Sequence, residues 1–310
     1  MNTDGQATAT QPAPTVGSPA ATPPTPKHDR SGLGWRFISA GVLIPMVLAT
    51  VFWLPPWSLL AFCGAACLAA GWEAIAVLAP CPAVVDPTER LVGTALTLAV
   101  GTGAALAARY LPLALAAPFP AVFLLCMLFL VLRPREITTF SHRAAALTFA
   151  PLYVGLGLAV YPTLRLLFVH GDRWVFTIMA LTFLGDTFAY FAGRFLGRHK
   201  LHPRLSPKKT WEGSIGGLLG SATVLVTARL WYLPELPWLD VALLALLAGA
   251  VGQVGDLFES ALKRSVGVKD SGKILPGHGG LLDRIDALLP TGLFVLGWGL
   301  ARGLFIPLGR

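Results

Sequence analysis

Nine stretches of about 20 mostly apolar residues, near 35–54, 57–79, 91–111, 113–132, 145–168, 174–196, 213–233, 238–262 and 283–306, set the terms on which this chain can fold. In hydrocarbon an unpaired backbone N–H or C=O costs several kcal/mol, so segments of this length must satisfy their backbones internally, as helices. With 55% hydrophobic and 13% charged residues and a mean hydropathy of +0.66, the 310-residue chain is expected to be all-α. The expected architecture is a polytopic integral membrane protein of about nine transmembrane helices.

Residues 1–30, "MNTDGQATATQPAPTVGSPAATPPTPKHDR", contain no apolar run and cannot bury enough surface to offset chain entropy. They are expected to form a disordered tail and not a secretory signal, because the first apolar run starts only near Phe37. The four cysteines, Cys63, Cys67, Cys81 and Cys126, lie in or beside apolar segments. They lack the polar context of a zinc site and the loop spacing of a disulfide framework, and read as small packing residues.

The formal charge of +8 suits either nucleic acid or an anionic membrane face, and the position of the charges decides. Placing Lys27, Arg30 and Arg36 on the cytoplasmic side brings Arg90, Arg133, Arg135 and Arg143 to that side as well. The turns near Pro55, Pro112, His170 and Pro234 then lie opposite, and the two most basic loops, residues 194–209 and 263–273, fall inside. Nine spans leave Arg302 and Arg310 on the outer side, against the same rule. Basic residues confined to membrane loops offer no soluble reading surface, so no nucleic-acid partner is expected. The chain has no internal repeat of the kind that builds inverted transporter halves.

Polarity is unequal along the chain. Up to residue 170 the spans hold little beyond Glu73 and Arg165, whereas the last four contain or adjoin Asp186, Asp256, Glu259, Asp283 and Asp286. A carboxylate in the bilayer costs roughly 2.5–3.5 kcal/mol on insertion scales and normally faces a wet cavity, a cation or a functional path. In "GQVGDLFESALKR", Asp256, Glu259, Ser260 and Lys263 stand at i, i+3, i+4 and i+7, on one helical face. Glu259 and Lys263 read equally as an i, i+4 pair at a helix end emerging into solvent. Asp256 lies deeper, behind Gly252 and Gly255, and is expected to be functional. Asp283 and Asp286 are again spaced i, i+3 where a helix begins. Helix capping accounts for that pair, but not for Arg284 between them or for the glycines before them.

Those glycines, in "PGHGG", supply conformational freedom and backbone N–H groups ahead of a helix start, an arrangement suited to phosphate. His278 fits phosphate contact, metal ligation or capping of the turn, with phosphate contact favoured. In "GRFLGRHKLHPRLSPKKTWEGS", Ser206 followed by Pro207 has the signature of a helix cap and first turn, from which Lys208 and Lys209 would project towards an anion. Upstream, Asp186, Tyr190 and Arg194 are one turn apart, and Asp186 reads equally as an ion-pair partner or as a group that holds a cation. Together these residues bring hard-cation ligands, lysines and a glycine turn to the cytoplasmic ends of adjacent helices. Magnesium takes carboxylate and phosphate oxygens, and basic residues neutralise the rest of a polyphosphate. The simplest consistent reaction is nucleotidyl or phosphoryl transfer to or from a lipid. No Walker-type G-x-x-x-x-G-K-[ST] occurs.

The stretch "SALKRSVGVKDSGKILPGHGGLLDRID" resembles the signature of the phosphatidate cytidylyltransferase (CDP-diacylglycerol synthase) family, S-x3-R-x4-K-D-x5-P-G-H-G-G-x2-D-R-x-D. It is met by Ser260, Arg264, Lys269, Asp270, Pro276, Gly277, His278, Gly279, Gly280, Asp283, Arg284 and Asp286. "LSPKKTWEG" and "DTFAYFAGR" are further family-like blocks, the latter with Gly185 and Phe188 where the family usually shows Ser and Gly. "GWEA" at 71–74 and "PLYVGLGL" at 151–158 are weaker echoes.

The resemblance implies an enzyme of the inner (cytoplasmic) membrane that joins CTP and phosphatidate to give CDP-diacylglycerol and pyrophosphate, with Mg2+ and a second cation, K+. It also implies a cytoplasm-facing polar cavity and a homodimer, with residues 31–170 as scaffold and dimerisation region and residues 171–310 as the catalytic region. By the same resemblance Asp256 and Asp283 would be the metal ligands, supported by Asp286. Lys208, Lys209, Lys263, Arg264 and Lys269 would neutralise phosphates, and Ser206 and Thr210 would add hydroxyl contacts. Ser260, Asp270, Gly277, His278, Gly279, Gly280, Arg284 and Asp186 complete the expected substrate-binding set. Because these motifs read the nucleotide and metal side, a cytidylyltransferase acting on another lipid phosphate, or a CTP-dependent kinase of a polyprenol, also fits them. An ion-coupled transporter is the distant alternative, and it predicts carboxylates spread across the bilayer.

Overall fold

The computed structural model describes residues 31–79, 84–108, 118–133, 135–275 and 279–304. The expected tail at 1–30, Cys81, the Pro112 turn, Gly277, His278 and Arg310 lie outside them. In chain order the helices are α1 (Ser31–Phe52), α2 (Pro56–Leu78), α3 (Pro87–Ala107), α4 (Pro118–Leu132), α5 (Phe140–Ala150), α6 (Gly157–Leu167) and α7 (Gly171–Phe195). A two-stranded hairpin, β1 (Lys200–His202) and β2 (Ser206–Thr210), leads into α8 (Trp211–Trp231), α9 (Trp238–Ser265), α10 (Leu282–Ile285) and α11 (Leu288–Arg302).

Among the described residues seven helical stretches are long and apolar enough to cross a membrane: Pro56–Leu78, Pro87–Ala107, Ile137–Leu167, Gly171–Phe195, Trp211–Trp231, Trp238–Ser265 and Leu282–Arg302. Gly41–Phe52 and Pro118–Leu132 are shorter apolar helices beside them. Leu124, Leu132, Phe195, Leu230 and Trp231 point outward, a distribution suited to lipid and not to water. The chain is thus a multi-pass, all-α membrane protein.

Local chemistry explains where these helices start and bend. Pro56 opens α2, where its missing N–H is not needed. Asp86 and Glu89 form a reciprocal capping box on α3, with Glu89 N donating to Asp86 Oδ1 at 2.8 Å and Asp86 N donating to Glu89 Oε2 at 3.1 Å. Between α5 and α6 the helix runs on through a π turn, Pro151–Leu156. Pro151 has no N–H to give to Leu147, four residues back, and the Cys126 thiol supplies the missing donor to the Leu147 carbonyl at 3.1 Å. Cys126 is therefore a hydrogen-bonding residue as well as a packing one; Cys63 and Cys67 are free and buried.

The positive-inside reading needs one correction in detail. Arg143 is not a loop charge: it lies inside α5, 1% exposed, with its Nη2 and Nε on Glu89 Oε1 of α3. Arg165 is spent on the end of α1, where its Nε donates to the Val51 carbonyl at 2.8 Å. Arg302, at the end of α11, pairs with the buried Asp240 of α9 at 3.0 Å, and Trp298 Nε1 donates to the same oxygen. Its charge is neutralised within the bundle, so it carries little weight as a topological signal.

The largest core includes Ile75 of α2, Val154 of the π turn, Leu225 of α8, Leu244 of α9 and Leu289 of α11, so it runs through both halves of the chain. Small residues on α8, among them Gly213, Gly216, Gly217 and Gly220, let it lie against α7.

Candidate active site

The carboxylates that stood out in the sequence converge where α9, α10 and the hairpin meet. Lys263 is the centre of one group. Its Nζ lies 2.5 Å from Glu259 Oε2 on its own helix and 2.6 Å from Asp283 Oδ1 at the start of α10. Glu259 is 1% exposed and Lys263 is 8% exposed, so this i, i+4 pair is buried and not a helix end in solvent. A second group stands one turn earlier on α9, where Asp256 Oδ2 lies 2.5 Å from Lys209 Nζ of the hairpin and Oδ1 accepts from Ser260 Oγ at 3.4 Å. Asp256 is an electrostatic neighbour of both Asp186 on α7 and Asp286 at the α10–α11 junction.

The hairpin corrects the reading of Ser206. Residues Ser206–Thr210 form an extended strand, paired antiparallel with Lys200–His202. The helix begins only at Trp211, where Thr210 is the cap and its Oγ1 accepts from Gly213 N at 3.1 Å. The sequence signature was overridden because Glu212, in the first turn of α8, folds the chain back: it accepts from Arg198 N at 3.1 Å and sits 2.6 Å from His199 Nδ1. Pro207 is tolerated in an edge strand. A strand alternates its side chains, so Lys208 is exposed whereas Lys209 turns in to Asp256.

The loop from α9 to α10 is held by carboxylates. Asp283 accepts from Gly280 N at 2.9 Å and from Ser271 N at 3.1 and 3.0 Å, besides its bond to Lys263. Leu275 N donates to the Gly279 carbonyl at 3.0 Å, and Gly279 takes a φ of +86°, which only glycine adopts without strain. Leu282 N donates to Glu73 Oε2 of α2 at 2.9 Å, and Ser271 Oγ reaches the same oxygen at 3.4 Å. Two N–H groups of the glycine-rich turn, those of Gly280 and Leu282, thus face carboxylates of the chain itself and not an outside anion. Asp283 thus fastens the loop to a buried lysine instead of capping α10, whose first N–H, that of Leu282, is met by Glu73.

Lys269, Asp270 and Lys273 are exposed on this loop, as is Arg284 on α10. Arg264 is turned onto the loop, with Nη1 donating to the Val268 carbonyl at 2.9 Å. Arg194 donates to Tyr190 Oη at 2.8 Å on the face of α7. Asp186 lines a narrow pocket with Gly185, Gln253, Ser221 and Thr291. Asp286 Oδ1 accepts from Ala287 N at 2.7 Å, and its main-chain carbonyl accepts from Tyr153 Oη at 3.4 Å.

Five carboxylates, Asp186, Asp256, Glu259, Asp283 and Asp286, thus face two lysines, Lys209 and Lys263. That excess of hard oxygen donors fits a divalent cation. Among the described residues no three His, Cys, Asp or Glu side chains are arranged to hold a metal by themselves. Magnesium binds through one or two carboxylates with phosphate oxygens completing its shell, so a two-carboxylate site does not require a third protein ligand.

Glu73, which holds the loop from α2, is a residue of the site that the sequence reading does not assign to it, and for Glu259, where a functional face and a solvated pair stand equal, burial favours the former. Two signals point to Glu73: its position as a carboxylate inside an apolar span and the "GWEA" echo.

A model described as the cytidylyltransferase family matches residues 34–298. The chain is 48% identical over 141 residues to a phosphatidate cytidylyltransferase of Brucella melitensis, covering 44% of this chain and 52% of that protein. It is 41% identical over 170 residues to one of Staphylococcus epidermidis, covering 54% and 64%. With one of Bacillus subtilis it shares 41% over 143 residues, covering 46% and 53%. The chain spans about half the length of the curated relatives it matches.

Proposed function

Because the chain belongs to the cytidylyltransferase family, we propose that it is a phosphatidate cytidylyltransferase, converting CTP and phosphatidate to CDP-diacylglycerol and pyrophosphate. The observation that carries this reading is the lysine and carboxylate network at the mouth of α9, where Lys209 and Lys263 each stand on an aspartate. A phosphate oxygen of phosphatidate attacks the α-phosphorus of CTP, and the bond from that phosphorus to the oxygen bridging to the β-phosphorus breaks, releasing pyrophosphate. The nucleophile is already anionic, so no general base is needed, and the protein's work is positioning and charge neutralisation.

Lys209 and Lys263 sit where phosphate charge would enter the network, with Lys208, Arg264 and Lys269 on its exposed rim. Asp256 and Asp283 would hold Mg2+, with K+ as a second cation, to screen the charge of the transferring phosphate. Asp283 is fixed by Lys263 and by two backbone donors and so arrives oriented. Ser206, Thr210, Ser260, Asp186, Arg284, Asp270 and the glycine turn with His278 complete the substrate-binding set. In the membrane we place nine spans, with the network open to the cytoplasm by the positive-inside argument, and two copies associating through residues 31–170.

The test is product identity. Purified protein in mixed micelles is given CTP, Mg2+, phosphatidate, an isoprenoid-glycerol phosphate and a polyprenol together. CDP-diacylglycerol with pyrophosphate is expected; polyprenyl phosphate with CDP, or a CDP-lipid only from another lipid phosphate, would overturn the substrate assignment.

A further inference from the structure

We infer that Glu73 of α2 is a positioning residue for this reaction: it clamps the α9–α10 loop from the N-terminal half so that Asp283 and Lys263 are presented together. The inference rests on the cytidylyl-transfer reading. Glu73 is 2% exposed in the last two turns of a stretch long enough to span a membrane, where an apolar residue would pack at no electrostatic cost. One oxygen of its carboxylate is taken up by the loop: Leu282 N donates to Oε2 at 2.9 Å and Ser271 Oγ approaches the same atom at 3.4 Å, while Oε1 is buried without a hydrogen bond among the described residues.

Ser271 joins the two acids. Its hydroxyl is on Glu73 and its N–H is on Asp283. The loop is also closed down upon Glu73. A Cβ added at Gly272 would lie 2.6 Å from Glu73 Cδ and 2.8 Å from Cγ, and one at Gly280 would lie 2.7 Å from Oε2. Such approaches are too short for any side chain. At Gly272 the three nearest atoms all belong to Glu73, so this glycine is required by that one side chain. Lys263 bonds Glu259 and Asp283, so Glu73 reaches the reacting groups through Asp283 and the loop.

The experiment is a double-mutant cycle between Glu73 and Gly272 in the full-length protein in lipid. Two quantities are read for each variant: kcat and KM for CTP, and the rate of tryptic cleavage after Lys269 or Lys273. Glu73→Ala is expected to lower kcat by about tenfold or more while KM for CTP changes by less than about threefold, with faster loop cleavage. Glu73→Gln keeps an oxygen that can accept from Leu282 N and is expected to restore part of kcat. Gly272→Ala is expected to be damaging alone and to add nothing in the Glu73→Ala background.

Wild-type kcat and loop protection in Glu73→Ala would overturn the proposal. So would a Gly272→Ala effect equally large in both backgrounds. Should the wild-type protein form no CDP-lipid at all, the functional reading fails, and the cleavage rates alone still decide whether Glu73 holds the loop.

Discussion

Two charge clusters in this molecule, each with a buried ion pair at its heart, are built on opposite rules. At the α3–α5 end, Glu89 and Asp86 meet three arginines: Arg143 on Glu89, Arg135 at 3.1 Å from Glu89 and 3.6 Å from Asp86, and Arg133 at 3.0 Å from Asp86. Arg143 also donates to the Arg133 carbonyl at 3.1 Å. Where α9, α10 and the hairpin meet, two lysines face an excess of carboxylates. Guanidinium groups are planar, multidentate and weakly hydrated, and they complete a buried network by themselves. Ammonium groups are compact point charges suited to phosphate, and uncompensated carboxylates suit a cation. The first cluster has arginines enough to neutralise its carboxylates, whereas the second keeps an excess of carboxylates, which on the proposed function would receive a cation and phosphate. Burial alone does not separate structure from function here; the sign of the residual charge and the type of cation do.

Breaking the second cluster should cost activity beyond whatever stability is lost when Glu259 or Asp283 is left without its lysine. Lys263→Met removes the cation between Glu259 and Asp283 and is expected to reduce turnover by about 10³-fold. Lys209→Met, on the more open Asp256, is expected to cost about 10²-fold. Both are read as turnover per folded molecule, and a loss below tenfold for Lys263→Met would break the contrast. Breaking the first cluster should do the reverse. Arg143→Met strands Glu89 and is expected to cost about 3–5 kcal/mol of stability. It should show as lower folded yield and thermal midpoint, with kcat of the folded fraction within about twofold of wild type. The smallest effect belongs to the joint between structure and site: Thr210→Ala removes the α8 cap beside Lys209 and is expected to cost about 1 kcal/mol, read by thermal unfolding.

Much of the site could be read from the sequence because its parts are local. Asp256, Glu259, Ser260 and Lys263 share a helix face by spacing alone, and Asp283 falls at a helix start as expected. What could not be read depends on partners far along the chain. The run that looked as if it began near 145 is a helix from Phe140, because the Arg143 charge is met by Glu89, 54 residues away. Ser206 looked like a cap, yet the pairing of β1 with β2 and the Glu212 clip hold it in a strand. Glu73 meets Ser271 and Leu282 across 198 and 209 residues, a contact that no local pattern encodes.

The most direct test uses CTP labelled separately at the α- and γ-phosphates, with phosphatidate and Mg2+, for wild-type protein beside Asp283→Asn. The account predicts α-label in CDP-diacylglycerol and γ-label in pyrophosphate, one for one, and neither product from the variant. γ-Label appearing in a lipid, or undiminished products from correctly folded Asp283→Asn, would contradict it.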